Sequence, residues 1–209
     1  NKKTLVLDLD ETLIKCCIEP RNHDRIVRAK KDGEIVEVII NLLFPHHIKC
    51  SLFNLLDSIQ DKTLRFGIPA KAEDHYEIIV FTASARYYAQ AIVESLDPDG
   101  IISHILDRTH CIETTGGFVI KDLRIIKNRE LKDLIIVDNL VHSFGLQIDN
   151  GVPILEWDGD KQDKELLYLV DYLIEASRVE DIREFNAERL KLRELAYASL
   201  PHILIKYWK

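Results

Sequence analysis

Cysteine is scarce: Cys16, Cys17, Cys50 and Cys111 are the only four, and no two stand in CxxC spacing. A chain of 209 residues needs no disulfide scaffold, so reduced thiols and a nuclear or cytoplasmic setting are expected. His110 beside Cys111 makes no nucleophile pair, because adjacent residues on a strand face opposite ways. His46-His47 lacks the helical spacing with which two histidines share a zinc ion. Long apolar runs are missing too: none reaches the length of a membrane span, and no signal peptide precedes the first apolar segment. The chain opens on Asn1-Lys-Lys without methionine, as expected of a trimmed protein, so the sequence leaves open a native anchor or targeting segment. Positive charge is in deficit. A net charge of −7 argues against binding nucleic acid through its backbone phosphates. There is no internal repeat and no low-complexity tract. What remains, 46% hydrophobic and 30% charged, suits one full globular core, expected as a monomer.

The chemistry starts at residues 5–14, Leu-Val-Leu-Asp-Leu-Asp-Glu-Thr-Leu-Ile. An apolar run ends in two carboxylates one residue apart. Residues two apart on a strand share a face, so Asp8 and Asp10 can enter one site just past the strand end. Carboxylates that close repel unless a cation sits between them or one holds a proton. Both remedies suit metal-assisted phosphoryl transfer, with Asp8 attacking phosphorus and Asp10 moving the proton. A calcium loop is excluded, because it needs glycine at the sixth position and Leu13 stands there. A helix cap would explain one aspartate, not both and the strand before them.

Matching fragments follow downstream. Glu77–Phe81 reads as a second buried strand, with Thr82-Ala83-Ser84 at its carboxyl end, where hydroxyl and free N–H groups suit a phosphate. Lys121 follows the short apolar run Phe118–Ile120. Leu134–Val137 is a third buried strand, ending in Asp138-Asn139. Ligands of open α/β sheets gather at the carboxyl ends of strands, so these groups converge on one crevice.

With these segments the chain resembles the haloacid dehalogenase superfamily, and more narrowly the FCP/SCP-type protein phosphatases that act on the RNA polymerase II C-terminal domain. The matching segments are Leu7–Leu13, Val80–Ser84, Lys121–Leu123, Val137–Asn139 and Asp149–Pro153. The resemblance implies an α/β fold: a Rossmann-like parallel sheet flanked by helices, with a β-hairpin after the first strand, extra C-terminal helices and no separate cap domain. It implies a magnesium-dependent phosphoserine/phosphothreonine hydrolase with an aspartyl-phosphate intermediate. Asp8 is then the nucleophile and a metal ligand. Asp10 is the general acid and base, and its main-chain carbonyl also binds the metal. Asn139 is a direct ligand and Asp138 acts through water. Thr12, Thr82, Ala83, Arg108 and Lys121 hold the phosphoryl group. The family's apolar pocket beside the site corresponds here to about Ile18, Ala29, Lys31, Val38 and Ala85, where Lys31 and the two alanines depart from an apolar wall.

The rest of the chain reads more coarsely. Residues 19–24 form a loop, and Ile26–Ala29 with Glu34–Ile40 form a hairpin around Lys-Lys-Asp-Gly33. A helix is expected from Pro45 to Ser58 and a polar loop over Asp61–Asp74. A second helix carries Tyr88, Ala91, Ile92 and Ser95 on its buried face. Lys161–Glu175 reads as a helix, and 179–199 as one charged helix stopped by Pro201, packed through Ile182, Phe185, Leu192 and Leu195. This gives a phosphatase domain over 1–177 and a helical extension over 178–209 packed on it. The segments between Asp10 and Thr82 and between Ser84 and Lys121 hold no compact independent cap. An open cleft suits a phosphoprotein or phosphopeptide. The alternatives are a small-molecule phosphatase of the same superfamily, which would want a cap, and a non-catalytic docking module of the same fold.

Overall fold

The computed structural model describes residues 2–16, 24–42, 76–158, 160 and 162–199. Strand β1 (Lys3–Leu7) is buried along its whole length, as befits an interior strand of a parallel sheet covered on both faces. It lies between β5 (Tyr76–Phe81) and β9 (Leu134–Asp138). β6 (Ile102–Leu106) and β10 (Gly151–Pro153) form the edges, in the order β10-β9-β1-β5-β6, all parallel. Leu7 pairs with Val80 on one side and Val137 on the other, so the three central strands end level with one another. That register delivers Asp8, Thr82 and Asp138 to one rim of the sheet.

Side-chain alternation divides the core between the two faces. Leu5, Leu7, Ile78, Val80, Ile135 and Val137 face helices α1 (Arg86–Leu96) and α2 (Glu165–Ala176), which contribute Ile92, Leu166 and Val170. Val6, Phe81, Leu134 and Ile136 face the other way, onto Leu123 and Phe144. Each fully buried aliphatic side chain contributes about 1.5–3 kcal/mol. Gly151 belongs to this second packing: a Cβ there would lie 2.0 Å from the Phe144 ring.

The hairpin is present and longer than the sequence suggests. β3 (Arg25–Lys31) pairs antiparallel with β4 (Glu34–Leu42), and β2 (Ile14–Cys16) joins the other side of β4. Asp32 and Gly33 turn the chain with φ of +50° and +91°, the left-handed pair of a type I′ turn. Two short strands, β7 (Ile112–Glu113) and β8 (Val119–Ile120), pair with each other near the rim.

Several expectations shift. In α1 the fully buried residues are Ala89, Ile92, Val93 and Leu96, so the stripe is rotated from the one expected; Tyr88 is only partly buried because its hydroxyl turns toward Asp10. α2 begins four residues later than Lys161. Asp158, Asp160 and Asp163 each accept a backbone N–H two residues on, and these local turns compete with the helix. The single helix over 179–199 is two, α3 (Ile182–Leu190) and α4 (Leu192–Ser199), broken at Lys191 with φ of +51°. Phe185 packs on the first core cluster and Leu192 on the second, which a straight helix does not serve at once. Leu195, expected on the packed side, is exposed. Ala29 and Val38, expected at an apolar pocket, are buried in the core, while Ile18 lies outside the described residues. The helix expected over 45–58 and the loops over 19–23 and 61–74 also lie outside them.

Candidate active site

At the end of β1 the Asp8 N–H still donates to the Val137 carbonyl, at 3.0 Å. The chain then turns tightly. Leu13 and Ile14 both donate to the Leu9 carbonyl, and Glu11 adopts a left-handed φ of +56°. Leu9 and Leu13 anchor this loop in the core, leaving Asp8 and Asp10 on the open side. The turn also returns Thr12 beneath Asp8, where its buried hydroxyl donates to Oδ2 at 3.3 Å.

A cleft of about 510 Å³ opens above these residues. Its lining includes Asp8, Asp10, Thr82, Ala83, Ser84, Arg108, Lys121, Asp138 and Asn139. Lys121 is 2% exposed and bridges two carboxylates: its Nζ lies 2.5 Å from Asp8 Oδ1 and 2.6 Å from Asp138 Oδ2. Asp138 also accepts from Ser143 Oγ at 2.6 Å and from the Leu140 N–H at 2.7 Å, so both its oxygens are occupied. Burial pushes the Asp8 carboxyl up to about 7, against the pull of Lys121 and with the push of the Asp138 charge. Burial alone would lower Lys121, but the two carboxylates hold its ammonium above its ordinary value.

Asp10 is held differently. The Tyr88 hydroxyl donates to Oδ1 at 2.6 Å, Ser84 Oγ donates to Oδ2 at 2.7 Å, and Thr82 Oγ1 reaches Oδ2 at 3.3 Å. Burial pushes the Tyr88 phenol upward and the Asp10 charge adds to it, so Tyr88 stays a proton donor. Neither Tyr88 nor Ser143 stands out as a site residue in the sequence. Tyr88 is counted there as part of an apolar helix face, and Ser143 lies in an irregular segment after Asp138. Arg108 sits at the rim, half-exposed, with its guanidinium 3.4 Å from both the Ala83 carbonyl and Glu113.

Among the described residues the carboxyl groups of Asp8, Asp10, Glu11 and Asp138 line this cleft against the Lys121 ammonium and the Arg108 guanidinium, a deficit of positive charge. Among the described residues no three His, Cys, Asp or Glu side chains form a metal-ligand cluster. The expected set instead combines two aspartates with a main-chain carbonyl and an amide. Asn139 supports it: its Oδ1 is buried without a hydrogen-bond partner among the described residues. An orphaned oxygen costs about 1–3 kcal/mol, which a hard cation would offset.

The sequence pattern of the NLI interacting factor-like phosphatases matches residues 3–183. The chain belongs to that family. This phosphatase family falls within the haloacid dehalogenase superfamily, as the four segments around the cleft suggest. CTD small phosphatase-like protein 2 of Dictyostelium discoideum is 35% identical over 194 residues, covering 93% of this chain and 31% of its own length. CTD small phosphatase-like protein 3 of Caenorhabditis elegans is 36% identical over 202 residues, covering 95% and 63%. The human CTD small phosphatase-like protein is 35% identical over 182 residues, covering 87% and 58%. The chain thus spans less than two thirds of these relatives. Fission yeast Fcp1, an RNA polymerase II CTD phosphatase solved with beryllium fluoride, shares the fold: the TM-score is 0.52 at 16% identity, over 96% of this chain and 58% of that one. No helix among the described residues is long and apolar enough to cross a membrane.

Proposed function

We propose that this chain is a magnesium-dependent protein serine/threonine phosphatase, similar to the RNA polymerase II C-terminal-domain phosphatases, that acts on phosphoproteins through an aspartyl phosphate. The observation that carries it is the paired Asp8 and Asp10 at the mouth of an open cleft, with Lys121 beside one and three hydroxyls on the other. Residues 1–177 serve as the catalytic domain and 178–209 as a C-terminal extension, whose described helices α3 and α4 pack on it through Phe185 and Leu192. A nuclear or cytoplasmic setting belongs to the same reading.

An Asp8 oxygen forms the new bond to phosphorus as the bond to the seryl or threonyl oxygen breaks. Asp10 gives its proton to that leaving oxygen. Water then attacks the phosphorus of the aspartyl phosphate, Asp10 takes the water proton, and Asp8 is released with inorganic phosphate. Tyr88 and Ser84 fix the direction of the Asp10 carboxyl. Lys121, Thr82 and the Ala83 N–H hold phosphoryl oxygens, Thr12 acts from behind Asp8, and Arg108 approaches from the rim. Asp8, the Asp10 carbonyl and Asn139, with Asp138 through water, would hold magnesium, which would supply charge to offset the phosphoryl anion.

Hydrolysis of para-nitrophenyl phosphate is expected to vanish in excess chelator and to return with magnesium. Calcium is expected to inhibit, because it takes more oxygen ligands at longer distances than magnesium and would draw on the Asp8 carboxylate that must stay free to attack. With Asp8 at about 7 in the metal-free protein, protons compete with magnesium. The magnesium concentration for half-maximal activity should therefore rise from pH 8 to pH 6, by up to about tenfold per unit below 7. Full activity in chelator, with metal shown to be absent, would remove the ligand assignment.

Asp10→Asn is expected to lower turnover about 10²–10⁴-fold, the usual worth of a positioned proton donor. It should also slow breakdown of the intermediate, so that trapped phosphoenzyme persists longer than in the wild type. Unchanged rates for both steps would assign the proton transfer elsewhere.

A further inference from the structure

A second cavity, of about 620 Å³, lies between the β3–β4 hairpin and helix α1. Among the described residues its lining holds Arg28, Lys30, Lys31 and Arg86 against two acids, Asp32 and Glu94. This concentration of cations stands on a chain whose net charge is −7. Some of the charge is already engaged. Arg28 meets Glu37 at 3.2 Å, Arg86 meets Asp107 at 2.9 Å, and Glu94 accepts from Gln90 at 3.0 Å. Lys30 and Lys31 have no ion-pair partner among the described residues, and Lys31 lies over the Tyr87 ring at 5.7 Å from its centre. Strand alternation explains the direction of Lys31: Val27 and Ala29 are buried, and Lys31 continues their face past the edge of the core toward α1, while Arg28 and Lys30 line the cavity from the alternate positions of β3.

The groove adjoins the cleft. Ser84, whose hydroxyl holds Asp10, is two residues before Arg86, so their Cα atoms are at most about 7 Å apart. α1 opens at Arg86 with no acidic residue in its first turn, adding its positive end to the same region. A polypeptide with its phosphoryl group at Asp8 and an extended backbone, rising about 3.3 Å per residue, brings a side chain two to four residues away over this groove.

We propose that the groove formed by Lys30, Lys31, Arg28 and Arg86 is a subsite for an anionic side chain, carboxylate or second phosphate, lying two to four residues from the target phosphoresidue of a protein substrate. The proposal rests on the phosphatase reading above and adds the flanking chemistry that the site selects. Its driving force is charge complementarity at an exposed surface, so it acts on binding of the peptide and weakens with salt.

The test compares phosphoserine peptides identical except at those flanking positions, which carry alanine, glutamate or a second phosphoserine. The wild type is expected to show about tenfold higher kcat/KM for the anionic peptides than for the alanine one. Lys30→Glu with Lys31→Glu should erase that preference, as should about 0.5 M salt, and leave para-nitrophenyl phosphate turnover unchanged. Both lysines are exposed, so the hairpin keeps its fold. The glutamate and phosphoserine arms rank the two anions. No preference in the wild type, or a preference that survives in the double variant, overturns the proposal. If the wild type fails to hydrolyse para-nitrophenyl phosphate with magnesium, the phosphatase reading falls by itself. Fluorescence anisotropy with the same peptides then decides the groove: selective binding of anionic peptides that the double variant loses supports it, and equal binding by both proteins overturns it. Equally tight binding of a single-stranded oligonucleotide would also overturn the peptide assignment.

Discussion

Asp8→Asn is expected to lower hydrolysis of para-nitrophenyl phosphate by on the order of 10⁴–10⁶-fold, the scale seen when an enzyme loses its nucleophile. An amide has no anionic oxygen to form the aspartyl phosphate. The substitution is nearly isosteric, and the local contacts survive it. The amide oxygen still accepts from Lys121, and the amide nitrogen meets the Thr12 hydroxyl, which accepts as well as donates. The metal-free fold should gain from the change. Burial first, then the Asp138 charge, pushes the Asp8 carboxyl up to about 7, far above its value in an unfolded chain. An acid raised on folding opposes folding when ionised, so that part of the stability is present at low pH and falls away as pH rises from about 4 through 7. The variant lacks this loss. Its metal-free melting temperature should exceed the wild type's at pH 8 and approach it at pH 4–5. Near-wild-type hydrolysis by the variant would remove the covalent mechanism from consideration.

The parts of the site that are legible in the sequence are those made by a strand end. β1, β5 and β9 contain the apolar runs Leu5–Leu7, Ile78–Phe81 and Leu134–Val137, and Asp8, Thr82 and Asp138 come directly after them, so periodicity and polarity point to one place. The hairpin is equally plain because Asp32-Gly33 supplies the left-handed pair its turn requires. Contacts that depend on how distant segments meet are not legible. Tyr88 keeps the spacing of an apolar stripe, and only the packing of α1 against the β1 loop turns its hydroxyl onto Asp10. The break at Lys191 carries neither glycine nor proline; two core clusters on opposite faces of the sheet demand it. The basic groove joins residues 28–32 to residues 86–94, two segments with nothing in common until β3 packs along α1.

Lys121→Ala is expected to damage both stability and activity, and the two losses are separable. Lys121 is the one ammonium between Asp8 and Asp138, whose side chains are 8% and 1% exposed. Removing it leaves two buried carboxylates facing each other, and breaking such a pair typically costs about 3–5 kcal/mol. Asp138 retains Ser143 Oγ and the Leu140 N–H, and Asp8 retains Thr12, so the loss falls on charge rather than on unfilled hydrogen bonds. Protonation relieves that charge. Denaturation of the metal-free variant should therefore show a larger deficit at pH 8 than at pH 5. Adding Asp138→Asn removes one of the two anions and should recover more than half of the lost stability. Activity should not return with it. The phosphoryl group would still lack its buried cationic donor, and losing one such donor costs about 10²–10³-fold. A double variant that regains stability and turnover together would show that Lys121 serves the fold alone; stability without turnover assigns it to the phosphoryl group.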